Sequence, residues 1–280
     1  MAATFPPDAT LSSRVTIAPG VDMPWLGFGV YQARRGRETE DAVAAALRFG
    51  YRHIDTASIY GNEDSVGRAI AASGLPRSDL FVTTKLWNSD HGHARTLAAC
   101  EKSLARLGLA HVDLYLIHWP VRGLRLESWR AMEELHERKL VRAIGVSNYM
   151  EPHLEELLAA CRIRPAVNQI EVSPFLQQRS VRALCAREGI TVEAYSPLTQ
   201  GLRLDHPVVV AAARALGRTP AQVLLRWALE RNTVPLPKSV TEARIRDNAA
   251  LFDFRLGPHA AALDQLEEEL HTGWDPTDAP

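Results

Sequence analysis

Eight short apolar runs alternate with segments of helical spacing, and no other feature of the sequence constrains the fold as strongly. The runs lack the apolar-polar alternation of strands with one face in water, so they predict parallel strands covered on both faces. The first run lies near Leu26 to Val30, and the others are RHID, LFVTTK, VDLYLIH, VRAIGVS, AVNQIEV, ITVEAYS and TVPLP. This α/β pattern favours a closed (β/α)8 TIM barrel, for which about 250 residues are typical. An open doubly wound sheet is the alternative, but no GxGxxG pattern follows the first strand.

Turn and capping residues mark the ends of several predicted elements. The stretch RVTIAPGVDMPW, before the first barrel strand, indicates a short N-terminal β-hairpin that turns at its Pro-Gly pair. A helix over Arg95 to Leu107 ends at Gly108, and another begins at Pro152. Thr219 to Gln222, TPAQ, is a capping box that starts a further helix. Since no linker or low-complexity stretch divides the chain, residues 1–280 are predicted to form a single domain with a C-terminal tail.

The composition argues against several classes of function. The chain has 280 residues, 46% of them hydrophobic, and its net charge of −1 gives no field that attracts nucleic acid or anionic membrane. Three widely spaced cysteines in apolar helical segments indicate packing in a reducing compartment: Cys100, Cys161 and Cys185. The N-terminus lacks the pattern of a signal peptide, and no apolar stretch approaches the ~20 residues that span a bilayer. A cytoplasmic protein is therefore expected.

Polar side chains close three successive apolar runs. The second run ends at Asp55 with Tyr60 in the loop that follows, the third ends at Lys85, and the fourth ends at His118. Each residue alone has an ordinary explanation, as a capping acid, a surface tyrosine, a solvated lysine or a structural histidine. In a barrel, however, all four would lie at the carboxyl ends of adjacent strands, where barrel enzymes carry their active sites. Their coincidence predicts a catalytic cluster.

Together the four side chains could stabilise an oxyanion and supply a proton. A tyrosine titrates near pH 10 in water, and the ammonium of Lys85 would lower the pKa of Tyr60 by stabilising its anion. Burial pushes a lysine towards neutrality, whereas the carboxylate of Asp55 would hold Lys85 charged. His118 could donate a hydrogen bond to a carbonyl oxygen and orient it. The cluster still lacks a nucleophile or a hydride source, and no metal site is predicted.

Seven further segments accompany the four polar side chains: GFGVYQ, KLWN, IHWP, IGVSN, NQIE, YSPL and PLPKS. Together they make the sequence similar to the aldo-keto reductase superfamily from about Val15 to Asp253. The chain most resembles the prokaryotic branch that contains 2,5-diketo-D-gluconic acid reductases and small-aldehyde reductases. The resemblance implies a (β/α)8 barrel in which the tetrad of Tyr60, Lys85, Asp55 and His118 reduces carbonyl groups with NADPH. Tyr60 would give its proton to the substrate oxygen as hydride arrives. The family also suggests a monomer that acts on a small aldehyde, ketone, keto acid or keto sugar.

The same resemblance implies contacts for the whole cofactor, NADPH or NADP+. Ser147, Asn148 and Gln169 would hold the nicotinamide carboxamide, and Tyr195 would stack on the ring. The other expected cofactor contacts are Gly29 and Val30 at the first strand, Ser196, Pro197 and Leu198 near the pyrophosphate, Lys238, Ser239, Val240 and Arg244 at the adenosine 2′-phosphate, and Asn248 near the adenine. Capping and core packing are ordinary roles for such residues, but these positions follow strands on the expected rim.

The segment SVTE, Ser239 to Glu242, fits a capping box and predicts that a helix begins at Ser239. A helix N-terminus between Lys238 and Arg244 would attract a phosphate through free N–H groups, the helix dipole and two cations. This arrangement predicts a preference for NADPH over NADH, whereas a simple N-cap role for Ser239 is the ordinary alternative.

Aromatic residues are expected to line the substrate mouth beside His118, and they are Tyr31, Trp87 and Trp119. The loop from Pro120 to Leu126 is shorter than in mammalian relatives, which implies an open pocket. Arg122 and Arg125 in this loop could favour acidic substrates, although solvation is the commoner and expected role of loop arginines.

Two other classes of function are compatible with parts of the pattern. A Schiff-base aldolase would use Lys85 as its nucleophile, but it would not account for PKSVTEAR or for Asn148 with Gln169. A cofactor-binding module of slow turnover, like channel subunits similar to this family, is disfavoured by the complete tetrad and by the lack of a long N-terminal inactivation segment.

Overall fold

The computed structural model of the protein describes residues 4–278, in which a small hairpin precedes eight parallel strands that alternate with helices. The antiparallel hairpin consists of β1 (Arg14–Ala18) and β2 (Val21–Pro24). The parallel strands are β3 (Phe28–Gly29), β4 (His53–Asp55), β5 (Phe81–Leu86), β6 (Val112–Ile117), β7 (Val141–Ser147), β8 (Val167–Glu171), β9 (Thr191–Tyr195) and β10 (Thr233–Pro235). The predicted hairpin and the predicted alternation are both confirmed.

Helices connect successive strands. From β3 to β9 the connecting helices are α1 (Arg37–Arg48), α2 (Glu63–Ala72), α3 (His93–Leu107), α4 (Arg125–Glu137), α5 (Glu151–Ala160) and α6 (Arg179–Glu188). Two helices, α7 (Pro207–Leu216) and α8 (Pro220–Glu230), join β9 to β10, and α9 (Glu242–Ala249) and α10 (His259–Leu263) follow β10. Two predicted ends are confirmed: α3 ends before Gly108 at φ 65°, and the capping box of Thr219 and Gln222 starts α8.

The sheet closes into a barrel where β10 meets β3. Each strand from β3 to β10 pairs in parallel with the next, and two backbone bonds join the ends: Gly27 N–H donates to the Pro235 oxygen and Gly29 N–H to the Pro237 oxygen, each at 3.1 Å. Gly27 makes this approach possible because a Cβ at this position would lie 2.3 Å from the Leu236 side chain. The closed (β/α)8 barrel is therefore confirmed, and the open-sheet alternative is wrong.

The hairpin lies at the amino-terminal ends of the barrel strands. Arg142, near the start of β7, donates to the Gly20 oxygen at 2.8 Å, and Arg14 of β1 donates to the Asp79 oxygen, just before β5, at 2.9 Å. Because the hairpin occupies this end, the opposite rim, formed by the carboxyl ends of the strands, is left for the loops and the site.

The core fills the space inside the barrel and between the barrel and the helices. Every residue of β5 and β6 is buried, which confirms that these strands are covered on both faces. The helices contribute large fully buried side chains, including Trp129 of α4 and Trp227 of α8. Burial of such apolar area, at about 25 cal/mol per Å², is the main favourable contribution to folding.

Among residues 4–278, no single helix is long and apolar enough to cross a membrane. Helices α7 and α8 reach that length and composition only as a pair, and they meet at 91°.

Candidate active site

The carboxyl ends of β4, β5 and β6 bring the four predicted tetrad residues together. Asp55 ends β4, Lys85 lies one residue before the end of β5, and His118 follows β6 directly. Tyr60 closes a 3₁₀ turn, Ser58–Tyr60, in the loop after β4. The Lys85 Nζ atom lies 2.6 Å from Asp55 Oδ1 and 3.4 Å from the Tyr60 hydroxyl, and the Tyr60 and His118 ring centroids lie 5.7 Å apart.

Lys85 is fully buried, and its ammonium group is held by hydrogen bonds. Its ammonium donates to Asp55 and, at 2.9 Å, to the Thr56 backbone oxygen. Burial by itself lowers the pKa of Lys85, but the Asp55 carboxylate opposes it most strongly, and the pKa ends above its usual value. Lys85 therefore stays charged at neutral pH, as the sequence predicted.

The environments of Tyr60 and His118 keep both rings neutral. Burial raises the pKa of the Tyr60 hydroxyl more than the Lys85 ammonium lowers it. The pKa of Tyr60 is therefore raised overall, and not lowered as the sequence predicted. Burial, with a further contribution from Lys85, lowers the pKa of His118 well below its usual value. The Nδ1 atom of His118 is buried and has no partner among the described residues. A neutral ring with its proton on Nε2 would therefore act as a hydrogen-bond donor.

The residues expected at the nicotinamide end lie in or directly after β7, β8 and β9 and bond to one another. Asn148 adopts a left-handed conformation at φ 62°, its Nδ2 atom donates to the His118 oxygen at 2.9 Å, and its Oδ1 atom accepts from the Tyr195 hydroxyl at 2.8 Å. The Ser147 hydroxyl donates to the Gln169 backbone oxygen at 2.8 Å. These bonds fix the orientation of amide and hydroxyl groups on the rim.

A cavity of about 1200 Å³ opens on this rim and contains nearly all of the predicted cofactor and substrate positions. Its lining includes Gly29, Tyr31, Asp55, Tyr60, Trp87, His118, Trp119, Ser147, Asn148, Gln169, Tyr195, Ser196, Pro197, Leu198, Lys238, Ser239, Val240, Arg244 and Asn248. Val30 does not line the cavity, because its side chain is fully buried and its N–H donates to the Asp55 oxygen at 3.1 Å. Lys85 does not line the cavity, but its Nζ atom lies 3.4 Å from the hydroxyl of Tyr60, which does.

The expected start of the helix at Ser239 is wrong. Helix α9 begins at Glu242, with Thr241 as its N-cap. The Ser239 hydroxyl accepts from the Thr241 N–H at 3.1 Å, and this local turn holds Ser239 and Val240 outside the helix. Lys238 and Arg244 nevertheless both line the cavity with exposed side chains. Within the described residues Arg244 has no carboxylate partner, whereas Arg246 pairs with Asp247 at 3.1 Å.

Arg125 is not a loop residue, contrary to the expectation for the segment after β6. It is the first residue of α4, forms an ion pair with Glu156, and donates to the Pro120 oxygen at 3.1 Å. Its guanidinium is therefore already engaged. Only Arg122 lies in the short loop and is exposed.

The C-terminal tail contributes residues that the sequence analysis did not identify. Thr272, Gly273 and Trp274 line the cavity, and the Trp274 ring, 76% exposed, lies 6.0 Å from Trp119. Glu171, at the end of β8, holds the tail by accepting from the Thr272 N–H at 2.9 Å. No local pattern marks these residues, because their position depends on a contact between distant parts of the chain.

Comparison with known proteins agrees with the fold. The sequence profile of the Aldo/keto reductase family matches residues 26–267, and the chain belongs to that family. Glyoxal reductase of Bacillus subtilis (strain 168) is 47% identical over 268 residues, which cover 95% of this chain and 97% of that protein. The protein is therefore an oxidoreductase of the aldo/keto reductase family.

Solved structures show the same fold. An aldo/keto reductase from Brucella melitensis matches with a TM-score of 0.88 at 45% identity, over 91% of this chain and 99% of that one. An aldo-keto reductase from Bombyx mori, solved in complex with NADP, matches with a TM-score of 0.89 at 35% identity, over 94% and 95% of the two chains. Family membership favours the oxidoreductase over the aldolase, and the similarity to a protein named glyoxal reductase favours it over the binding module.

Proposed function

We propose that the protein reduces small aldehydes and ketones to alcohols with NADPH and that Tyr60 is the proton donor. One observation carries the proposal: the Tyr60 hydroxyl lies 3.4 Å from the buried ammonium of Lys85, on the wall of a cavity that His118 also lines. A carbonyl oxygen placed against Tyr60 and His118 would meet two hydrogen-bond donors. The ammonium beneath them would stabilise the negative charge that develops as the proton leaves Tyr60.

The lining of the cavity fits NADPH, which supplies the hydride when bound. Amide groups from Asn148 and Gln169 can exchange hydrogen bonds with a carboxamide, and the Tyr195 ring offers a flat apolar surface. Lys238 and Arg244 suit the 2′-phosphate, because both are exposed cations on the same cavity wall. The Bombyx mori relative, solved with NADP, supports the same assignment.

Each tetrad residue has a distinct role in moving the proton. Tyr60 gives its proton to the substrate oxygen, and the charge of Lys85 compensates for the phenolate that remains. Asp55 keeps Lys85 protonated in spite of its burial. His118, neutral in this environment, orients the carbonyl. A positioned general acid typically contributes about 10²–10⁴-fold to the rate.

Aromatic rings surround the reacting position and favour uncharged substrates. The Tyr31 ring centroid lies 5.0 Å from that of Tyr60, and the Trp87 centroid lies 5.2 Å from that of His118. Arg125 is already bound to Glu156, so it is a poor partner for a substrate carboxylate. The similarity to glyoxal reductase supports small aldehydes as substrates. The range proposed from the sequence also includes keto acids and keto sugars such as 2,5-diketo-D-gluconate.

Oxidation of NADPH across a panel of aldehydes, keto acids and keto sugars tests this proposal, with the Tyr60→Phe variant as the control for the site. We expect turnover with several small aldehydes and almost none in the variant. An enzyme that binds NADPH but oxidises it with no carbonyl compound would overturn the proposal.

We also propose that the protein works as a monomer in the cytoplasm. The three cysteines, Cys100, Cys161 and Cys185, are free, which fits a reducing compartment. The monomer rests on the family resemblance, and analytical ultracentrifugation tests it.

A further inference from the structure

A buried acid lies inside the barrel, directly behind the proposed nicotinamide position. Glu193 of β9 is 0% exposed, and it occupies the same register as Gln169 of β8, which in turn pairs with Ser147 of β7. Residues in register on adjacent parallel strands point to the same face, so these side chains all enter the barrel. Glu193 is not among the site residues predicted from the sequence, although it is a charged residue within an apolar run and lies two residues before Tyr195.

Glu193 and Asp55 together accept from both N–H groups of the Gln169 amide. The Gln169 Nε2 atom donates to Glu193 Oε2 at 2.8 Å and to Asp55 Oδ2 at 2.9 Å. Rotating this amide by half a turn would place its oxygen against the Asp55 carboxylate, which can only accept, and would cost that hydrogen bond. The amide orientation is therefore fixed, and its oxygen, Oε1, is the atom that Gln169 can offer to a ligand in the cavity.

We propose that Glu193 is a positioning residue that presents the Gln169 oxygen to the carboxamide N–H of the nicotinamide. This inference rests on the proposed function, since the ligand is the nicotinamide half of NADPH. Asp55 alone could hold only one of the two N–H groups of Gln169. Glu193 holds the second, so the two acceptors together keep the amide in the orientation whose oxygen faces the carboxamide N–H groups.

The charge balance of the barrel interior is consistent with this role. Burial, and next the Asp55 carboxylate, raise the pKa of Glu193 to about 8, so its carboxyl group is protonated at neutral pH. His53, whose Nε2 atom lies 3.6 Å from Glu193 Oε1, is neutral because burial, with Lys85 and Arg14, lowers its pKa to about 3. Lys85 and Asp55 are then one buried cation and one buried anion that balance. A neutral Glu193 still offers Oε2 as an acceptor to Gln169.

The test compares three variants, because neutral Glu193 has a close amide analogue. Glu193→Gln keeps an acceptor oxygen at the same distance along the side chain. Glu193→Met keeps the length and removes the acceptor. Glu193→Asp shortens the side chain by one methylene and withdraws the oxygen from Gln169, and it serves if the methionine variant does not fold.

Three ligands separate positioning from general stability in a fluorescence or calorimetric titration. NADPH carries the carboxamide, its acetylpyridine analogue has a methyl group in place of the amide nitrogen, and adenosine 2′,5′-bisphosphate lacks the nicotinamide half. We expect Glu193→Met and Glu193→Asp to weaken NADPH binding by about 3–10-fold, the loss of one neutral hydrogen bond. Both variants should bind the other two ligands as the wild type does, and Glu193→Gln should bind all three normally.

Equal losses for all three ligands, or no loss for NADPH, would overturn the positioning role while leaving the proposed reduction intact. Failure of the wild-type protein to bind NADPH would instead overturn the proposed function and this inference together. The two failures are therefore distinguishable before any variant is made.

Discussion

Lys85 and Asp55 form an ion pair of 2.6 Å whose side chains are 0% and 5% exposed. Removing one partner from such a buried pair leaves an uncompensated charge, which typically costs about 3–5 kcal/mol. The pair therefore does more than place a charge near Tyr60. It also keeps Lys85 protonated in spite of its burial. The proposed proton transfer depends on that positive charge.

Replacing the two members of the pair should have unequal effects on turnover. Lys85→Met removes the ammonium, whereas Asp55→Asn leaves it in place and weakens only its support, so the lysine variant should lose more activity. The comparison requires kcat at saturating cofactor, with circular dichroism to verify that both variants fold. The reverse ranking would mean that the roles of the two residues are misassigned.

Tyr60→Phe removes only the hydroxyl that faces the cavity and retains the ring, which packs near Tyr31 and His118. Cofactor affinity should be unchanged, because Tyr60 is proposed to act on the substrate oxygen. Carbonyl reduction should fall by at least about 10²-fold, the lower end for general acid catalysis. Turnover near the wild-type level in a steady-state assay would refute the assignment of the proton donor.

Glu193 should make the stability of the fold depend on pH. Its pKa is raised from an ordinary 4.5 to about 8, so the folded state holds a proton that the unfolded state releases between these values. The stability that this proton contributes is complete below the lower value and is lost as pH rises through the higher one. The slope reaches at most about 1.4 kcal/mol per pH unit.

Urea unfolding of the wild type and Glu193→Gln at several pH values would measure this contribution. The glutamine cannot ionise, so the wild type should lose stability relative to the variant as pH rises from about 5 to about 8, and not beyond. A difference that stays constant over this interval would show that Glu193 is already ionised in the folded protein.

Three of the four tetrad positions were predictable because each ends an apolar run, and parallel strands in a barrel must bring their carboxyl ends together. Asp55, Lys85 and His118 therefore follow from pattern and topology alone. The pKa of Tyr60 did not follow, because it depends on how completely the loop after β4 is buried. Sequence shows which charges are near each other, but not how much water remains around them.

Two other features could not be predicted for different reasons. The position of Trp274 depends on the bond between Thr272 and Glu171, which are 101 residues apart. The start of α9 was misplaced because SVTE permits two local structures, a capping box and a serine turn. The contact of Ser239 with the Thr241 N–H selects the turn.

The corrected start of α9 changes the basis for cofactor preference and leaves its direction unchanged. Ser239 no longer marks a helix N-terminus, so the preference depends mainly on the two exposed cations of the cavity wall, Lys238 and Arg244. A charge-assisted hydrogen bond contributes about 1.5–3 kcal/mol, and therefore NADPH should bind at least about tenfold more tightly than NADH. Arg244→Ala should weaken NADPH binding strongly and NADH binding little, as measured by fluorescence titration of both cofactors.

Arg246 provides a matched control for this prediction, since it lies on the same helix, is exposed, and already pairs with Asp247 at 3.1 Å. It is also absent from the cavity lining, so Arg246→Ala should leave the affinities for both cofactors near their wild-type values. The ratio of the two dissociation constants is the decisive quantity, because a general disturbance of α9 would weaken both cofactors together. Equal losses for NADPH and NADH in Arg244→Ala would show that Arg244 supports the fold of this segment and does not bind the 2′-phosphate.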